Sequence, residues 1–379
     1  AWVIVVFAWG TLFLAEDSNM IGSVVPTERQ YLIDTASSIL SAPALVQQVV
    51  SRYKLAGSVS DCYLVGSKCN DTYQVETTDG NYYLRVYRHG WRTQEEITAE
   101  VELLRFLDWQ NVSVATAIPD MEGRFIQRVR AVEGERWIVL FGEAKGRVRP
   151  ANAKRSFRLG QAVARIHNCT DQQERDGRRF EHNFEDLILN CPNSSGNKLI
   201  LNGRDPLPAI EPFLKHRKAD FGYLVGVGEH LSRKIKGYHP KTAPWFGVCH
   251  GDLHSQNVHF DEDDNITLFD FDHYGYSWRA YDLATFLWDQ FNPIHPPVDW
   301  SRTAKSKRTR YWNRFLEGYS TLRPLTEPEI TSVYHFVLIR HLCFLGMVTS
   351  ASNFWGRAKL DDNFFDTHLD FIKRWLEVY

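Results

Sequence analysis

Two carboxylates and a carboxamide lie close together in the stretch FGVCHGDLHSQNVHFDEDDNITLFDFDHYGYSWRAYDLA, residues 246–284. Val258 to Phe260 and Ile266 to Phe269 are short apolar runs on either side of the polar turn Asp261 to Asn265, a pattern that predicts a β-hairpin. Asp252 and Asn257 then precede the first strand, and Asp270 follows the second. The hairpin thus gathers three oxygen-bearing side chains at one end. Phosphoryl transfer to a hydroxyl needs such a set: one carboxylate to orient the hydroxyl and accept its proton, and hard oxygen ligands for a magnesium ion on the nucleotide phosphates. Each residue alone reads as an ordinary turn, cap or strand end. Their joint spacing points to a kinase site.

A site of this kind needs elements to hold the nucleotide, and the upstream half of the chain supplies them. Residues 41–56 read as a helix with Leu45, Val49 and Tyr53 on one face. From about Ser60 to Tyr87 the texture turns strand-like, with Asp79-Gly80 as the expected hairpin turn, so that Tyr83, Arg85 and Tyr87 share one strand face. Thr93 and Glu96 form a capping box ahead of a helix whose stripe is Ile97, Val101, Leu104 and Leu107. Glu100 lies at the edge of that stripe and needs a cation there; Arg85 on the preceding strand is the candidate. Two further strand-like runs, GRFIQRVR and RWIVLF, lead to a shift towards helical composition near residue 143. Beyond it, SFRLGQAVARIHN reads as an amphipathic helix, and Asp171 to Lys198 as a polar surface excursion. Thr326 and Glu329 cap an almost wholly apolar run that Arg340 and two histidines interrupt, which predicts a buried core helix and not a membrane span.

His250-Gly251-Asp252 followed by Asn257, with Asp270 in Phe269-Asp270-Phe271, resembles a kinase catalytic loop and metal-binding motif. With Gly251 and His254 included, the segment resembles the aminoglycoside phosphotransferase and choline kinase-like family, which includes homoserine kinase type II and the stress response kinase. That resemblance implies an α+β, protein-kinase-like fold of two lobes: a small lobe with an antiparallel β-sheet plus helix, and a large, mostly helical one. The corresponding divisions are an extension over 1–40, a small lobe over 41–142 and a large lobe over 143–379. The resemblance implies ATP and Mg2+ as cofactors, Asp252 as catalytic base, Asn257 and Asp270 as metal ligands, and His250 and Asp282 as structural support. It also implies Arg85 paired with Glu100 on the nucleotide phosphates, Ser67 and Asn70 in place of a glycine-rich loop, and Leu140, Phe141 and Glu143 at an adenine hinge. The substrate is then a small-molecule hydroxyl, of an aminoglycoside, amino alcohol or homoserine-like compound; a protein serine/threonine kinase of the stress response type is an alternative. Asp289, Trp288 and Trp355, with Trp278 and Phe354, are candidates for a cationic substrate's carboxylate and aromatic walls.

Other chemistries fit less well. GDLH also occurs in metal-dependent phosphohydrolases, but those need an earlier Asp-x-His and a later Gly-Asn-His; Asp366-Thr367-His368 is at the wrong end and no Gly-Asn-His exists. His250 and His254 therefore read as loop-packing residues. Asp261 to Asp264 lack the register of a calcium loop. A non-catalytic nucleotide-binding module would be expected to have lost Asp252, Asn257 or Asp270, and all three are present. Forty-four Lys and Arg against 46 Asp and Glu leave a net charge of -2, so no overall field draws the chain to nucleic acid or an anionic membrane. The basic run Arg302 to Arg310 reads as a solvated helix start. Six scattered cysteines without a CxxC pair suggest reduced thiols and a cytoplasmic setting. Ala1 to Ala15 is uncharged but short for a span of about 20 residues, and reads as a packed strand or helix. The oligomeric state has no signature in the chain.

Overall fold

The first half of the chain builds one antiparallel sheet, hairpin by hairpin, in the computed structural model, which describes residues 33–182, 184, 206–238, 240–291, 293–294 and 298–379. The reading of residues 1–15 falls outside these. Strands β1 (Val59–Ser67), β2 (Asn70–Thr77), β3 (Gly80–Tyr87), β4 (Ile126–Ala131) and β5 (Gly134–Gly142) lie in the order β1-β2-β3-β5-β4. The β2–β3 turn is Thr78-Asp79, one residue earlier than expected, because Thr77 pairs with Gly80. Alternation along β3 divides its side chains. Leu84 and Val86, both 0% exposed, join Leu45, Val49 and Tyr53 in a small-lobe core, while Tyr83, Arg85 and Tyr87 project from the other face.

The helix expected over 41–56 is shorter. Helix α1 (Ala42–Gln48) gives way to a 3₁₀ turn at Val50–Arg52, yet Leu45, Val49 and Tyr53 still bury together. A pair of adjacent β-branched valines at the junction is a weak continuation signal for an α-helix. Helix α2 (Gln94–Trp109) begins at the Thr93/Glu96 capping box as read, and Glu100 on it is 1% exposed.

The large lobe contains α3 (Ala153–Cys169), α4 (Pro206–Ile210), α5 (Lys218–Ile235), α6 (Ala280–Phe291), α7 (Arg302–Ser320), α8 (Glu327–Ser350), α9 (Ser352–Trp355) and α10 (Asp362–Val378) among the described residues. Two small antiparallel pairs carry the loops between them: β6 (Phe246–Cys249) with β9 (Gly275–Trp278), and the expected hairpin β7 (Val258–Phe260) with β8 (Ile266–Leu268). The β6/β9 pair left no alternating pattern to read, because its residues are buried on both faces. Helix α8 is long and apolar enough to cross a membrane, but 67% of its most apolar stretch is buried inside the protein, with Phe336 and Val337 0% exposed. It is a core helix.

One further reading changes. Asp171 to Lys198 is not wholly a surface excursion: Arg179 is 4% exposed and donates to the carbonyls of Asp272 and Tyr274, and Glu181 bridges to Tyr276 on β9. Residues 183 and 185–198 of that stretch lie outside the described ones. Cys62, Cys69, Cys169, Cys249 and Cys343 are free thiols.

Candidate active site

Residues 250–257 form a tight loop between β6 and β7, and its shape is set by the backbone. Gly251 has φ +78, and a Cβ there would stand 2.3 Å from the His273 carbonyl oxygen, so only glycine fits. Asp282, in the first turn of α6, accepts the amides of His250 at 2.7 Å and Gly251 at 2.9 Å. His167 of α3 adds a contact of 3.2 Å to the same carboxylate. Burial alone would raise Asp282, but His167 and these amides hold it below the ordinary carboxylate range. His250 fixes the loop from within. Its Nε2 donates to the Phe269 carbonyl at 3.1 Å and its Nδ1 accepts the Asp252 amide at 3.3 Å.

Asp252 projects from this loop with its side chain 16% exposed. Asn257 Nδ2 donates to its carbonyl at 2.9 Å and to its Oδ2 at 3.3 Å. His254 Nε2 also stands 3.3 Å from Oδ2, while its Nδ1 accepts the Gln256 amide. Oδ1 pairs with Arg340 of α8. Desolvation pushes the Asp252 carboxyl up, but His254 and Arg340 outweigh it and hold the group well below the usual carboxylate range. The reading of His254 as a loop-packing residue is therefore incomplete, since it touches Asp252 directly.

Asp270 follows β8 in a left-handed conformation, φ 63, which a non-glycine residue adopts only at a cost of about 1–3 kcal/mol. The turn sends its side chain, 43% exposed, back towards the small lobe, where Arg85 Nη2 donates to Oδ1 at 2.9 Å. The other arm of Arg85 meets Glu100 at 3.0 Å, so the pairing read from the strand and helix is present and extends to Asp270. Tyr87 donates to the second Glu100 oxygen at 3.0 Å. Burial raises the Glu100 carboxyl, and Arg85 opposes that rise.

Several residues assigned to the nucleotide are otherwise engaged. Ser67 Oγ donates to Asp71 at 2.6 Å. Asn70 donates to Asp272 and accepts the Arg88 amide, each at 3.3 Å. Leu140 is 0% exposed and its carbonyl accepts the Ile118 amide, while the Gly142 amide goes to Thr116. The Leu140 carbonyl and the Gly142 amide are thus taken up by the 116–118 segment. Phe141 lies under Arg85, 4.9 Å from its guanidinium carbon to the ring centroid. Glu143 accepts from Asn81 at 3.0 Å. Just after it, His259 Nδ1 donates to the Ala144 carbonyl at 2.8 Å, tying the linker to β7.

The proposed substrate group separates. Trp288 is 0% exposed and donates to His341 Nδ1 at 3.2 Å, and Trp278 packs on Phe246 and Phe336, so neither forms an open wall; both are core. Trp355 on α9 is 37% exposed, and Phe354 lies under Arg88, 4.9 Å away. Asp289 accepts the Ser255 amide at 3.0 Å. It stands seven residues after Asp282, on the same face two helical turns on, so one helix grips both ends of the loop. Burial raises its carboxyl, against the pull of His254.

The sequence reading missed two residues at the centre of the site. Arg340 could have been found, since an arginine inside an apolar run needs a buried carboxylate. Asp272 could not: it accepts Trp91 Nε1 at 2.7 Å, Arg92 Nε at 2.9 Å and Asn70, all from the small lobe, and nothing local marks it.

This sheet, helix and loop arrangement is that of a kinase-like phosphotransferase. The chain belongs to the phosphotransferase enzyme family, whose model matches residues 66–325. An uncharacterized protein of Deinococcus radiodurans is 30% identical over 348 residues, covering 90% of this chain and 94% of that one. An amicoumacin kinase solved in complex with AMP-PNP, Ca2+ and Ami superposes with a TM-score of 0.66 at 19% identity, over 88% of this chain and 94% of that chain. A microcompartment-associated aminopropanol kinase gives the same TM-score at 23% identity, over 89% and 98%.

Proposed function

We propose that the protein transfers the γ-phosphate of ATP to a hydroxyl of a small molecule, with magnesium, using Asp252 as base. The observation that carries this is the convergence of Asp252, Asn257 and Asp270 with the Arg85–Glu100 pair in a family of phosphotransferases. The donor set suits a hard divalent ion. Asn257 spends its amide nitrogen on Asp252 and Asp270 spends one oxygen on Arg85, so Asn257 Oδ1 and Asp270 Oδ2 remain as ligands. Magnesium bound there would neutralise charge developing on the phosphates.

The remaining work belongs to the chain. Asp252 Oδ2 accepts a hydrogen bond from the acceptor hydroxyl and holds it in line with the γ-phosphorus. As the new P–O bond forms, the bond to the β–γ bridging oxygen breaks, ADP leaves and the hydroxyl proton passes to Asp252. Arg85, anchored by Glu100 and Asp270, offers its remaining N–H donors to the phosphates. Asp289 forms no ion pair within 4 Å among the described residues, since His254 and Arg340 are spent on Asp252, which supports an amino alcohol whose ammonium pairs with it.

A coupled ADP-release assay over amino alcohols, hydroxy amino acids and aminoglycosides tests the proposal, with Asp252→Asn and Asp270→Asn as controls. Metal-dependent ADP release that both substitutions abolish is the expected result. Nucleotide binding without turnover on any hydroxyl would favour the non-catalytic module, and an Asp270→Asn variant with wild-type turnover would overturn the metal assignment.

A further inference from the structure

Helix α8 is apolar around its circumference, yet at the level of the catalytic loop it carries Arg340, 9% exposed. A guanidinium so deeply desolvated needs a carboxylate. It finds Asp252 Oδ1, and its Nη1 stands 3.5 Å from the Gly251 carbonyl. Below it lies Trp288, with the guanidinium carbon 5.0 Å from the ring centroid. That indole is itself fixed by burial and by His341. Arg340 Nε is sealed in by packing with no hydrogen-bond partner, so this side of the guanidinium is closed to a substrate.

The other contacts to the Asp252 carboxylate are longer. Asn257 and His254 both meet Oδ2 at 3.3 Å, long for a hydrogen bond, whereas the Arg340 pair is close, charge-assisted and directional. Both long contacts are on the oxygen that must also meet the acceptor hydroxyl. The close one is on the other oxygen.

We propose that Arg340 is a positioning residue for Asp252: stacked on Trp288, it clamps one carboxylate oxygen and thereby aims the other at the reacting hydroxyl. The inference rests on the reading of Asp252 as base. It gives the paired core residues Arg340 and Trp288, from two different helices, a role in the geometry of the reaction without contact to either substrate.

The test is a cycle of Arg340→Met, Asp252→Asn and the double variant, with Arg340→Lys as the conservative change. Arg340→Met should lower kcat about 100-fold, the loss typical of misplacing a catalytic group by an ångström, and leave both KM values unchanged. Arg340→Lys should recover part of this, because it keeps the charge but loses the fork. In the Asp252→Asn background Arg340→Met should cause no further loss. There it should also raise the unfolding midpoint, because it removes a stranded buried charge. Wild-type turnover in Arg340→Met, a loss confined to KM, or losses that multiply in the double variant would each overturn the proposal. So would a double variant that unfolds no later than Asp252→Asn, a readout that holds even if turnover is too slow to measure. Wild-type turnover in Asp252→Asn would instead overturn the base assignment itself.

Discussion

Asp270 and Asp272 stand two residues apart with the same side chain, and their surroundings predict opposite consequences for the same substitution. Asp272 is buried, 3% exposed, against an Arg92 side chain that is 0% exposed. It accepts Trp91 at 2.7 Å, Arg92 at 2.9 Å and Asn70 at 3.3 Å. All three donors come from the small lobe, so this carboxylate pins the β1–β2 turn and the start of α2 to the loop after β8. Asp272→Asn replaces one accepting oxygen by an NH2 that faces donors and removes the charge of the buried Arg92–Asp272 pair. Breaking a buried pair in this way costs about 3–5 kcal/mol. Asp270 is 43% exposed and its partner Arg85 keeps Glu100, so Asp270→Asn should cost no more than about 1 kcal/mol.

Urea unfolding of the two variants without ligand reads the difference directly. Nucleotide titration with and without magnesium then reads the other half. Asp270→Asn should keep a near wild-type midpoint and lose the metal-dependent gain in nucleotide affinity; Asp272→Asn should unfold early and keep that gain while folded. Equal midpoints would refute the pinning argument. An Asp270→Asn variant less stable than Asp272→Asn would reverse the two assignments.

Three further outcomes follow from particular contacts. Arg85→Lys should stay folded because Glu100 retains a cation, whereas Arg85→Met leaves Glu100, 1% exposed, without one and should lose about 3–5 kcal/mol in urea unfolding; equal stability of the two would contradict this. Burial depresses His167 and His368 to about 4, against an ordinary 6.5, so both are neutral in the fold while the unfolded chain takes up protons near 6.5. Their contribution is complete above pH 6.5 and declines as pH falls towards 4, by about 2 kcal/mol per histidine at pH 5; a thermal midpoint that held steady from pH 6.5 to 5 would exclude it. Gly146→Ala should cost about 1–3 kcal/mol and loosen nucleotide binding, since φ is +90 and a Cβ would meet the Phe260 carbonyl carbon at 2.4 Å; an unchanged unfolding midpoint would refute this.

What was legible in the sequence was local. The β7/β8 hairpin, the capping box of α2 and the alternation of β3 are encoded over a few residues each, and together they bring Asp252, Asn257, Asp270, Arg85 and Glu100 to one place. The Arg85–Glu100 pair could be anticipated because strand face and helix stripe both have fixed periods. The engagement of the Leu140 carbonyl was not legible, because the 116–118 segment, which has no strand pattern of its own, covers the edge of β5. Trp288 was a candidate wall of the substrate site and is core, a distinction that periodicity in an apolar helix does not make. Arg340 meets Asp252 across 88 residues of sequence, so its apolar run shows that the arginine needs a carboxylate but not which one.

The large-lobe helices divide the catalytic loop between them. Asp282 and Asp289, on one face of α6, take the amides of His250, Gly251 and Ser255, fixing where the loop enters and where it turns towards β7. Helix α8 reaches the middle of the loop through Arg340, and Trp288 of α6 lies under that guanidinium, so the two grips share a contact. The Asp252 carboxylate is therefore oriented by the packing of α6 on α8, not by the loop's own hydrogen bonds alone. A change in the core that shifts these helices should reach kcat before it reaches substrate affinity. The small lobe is attached separately, through Asp272 and through Arg85 on Asp270. With the proposed roles of Asp252 and Asp270, nucleotide binding and base geometry should depend on different contacts of one short segment, and substitutions should impair either without the other.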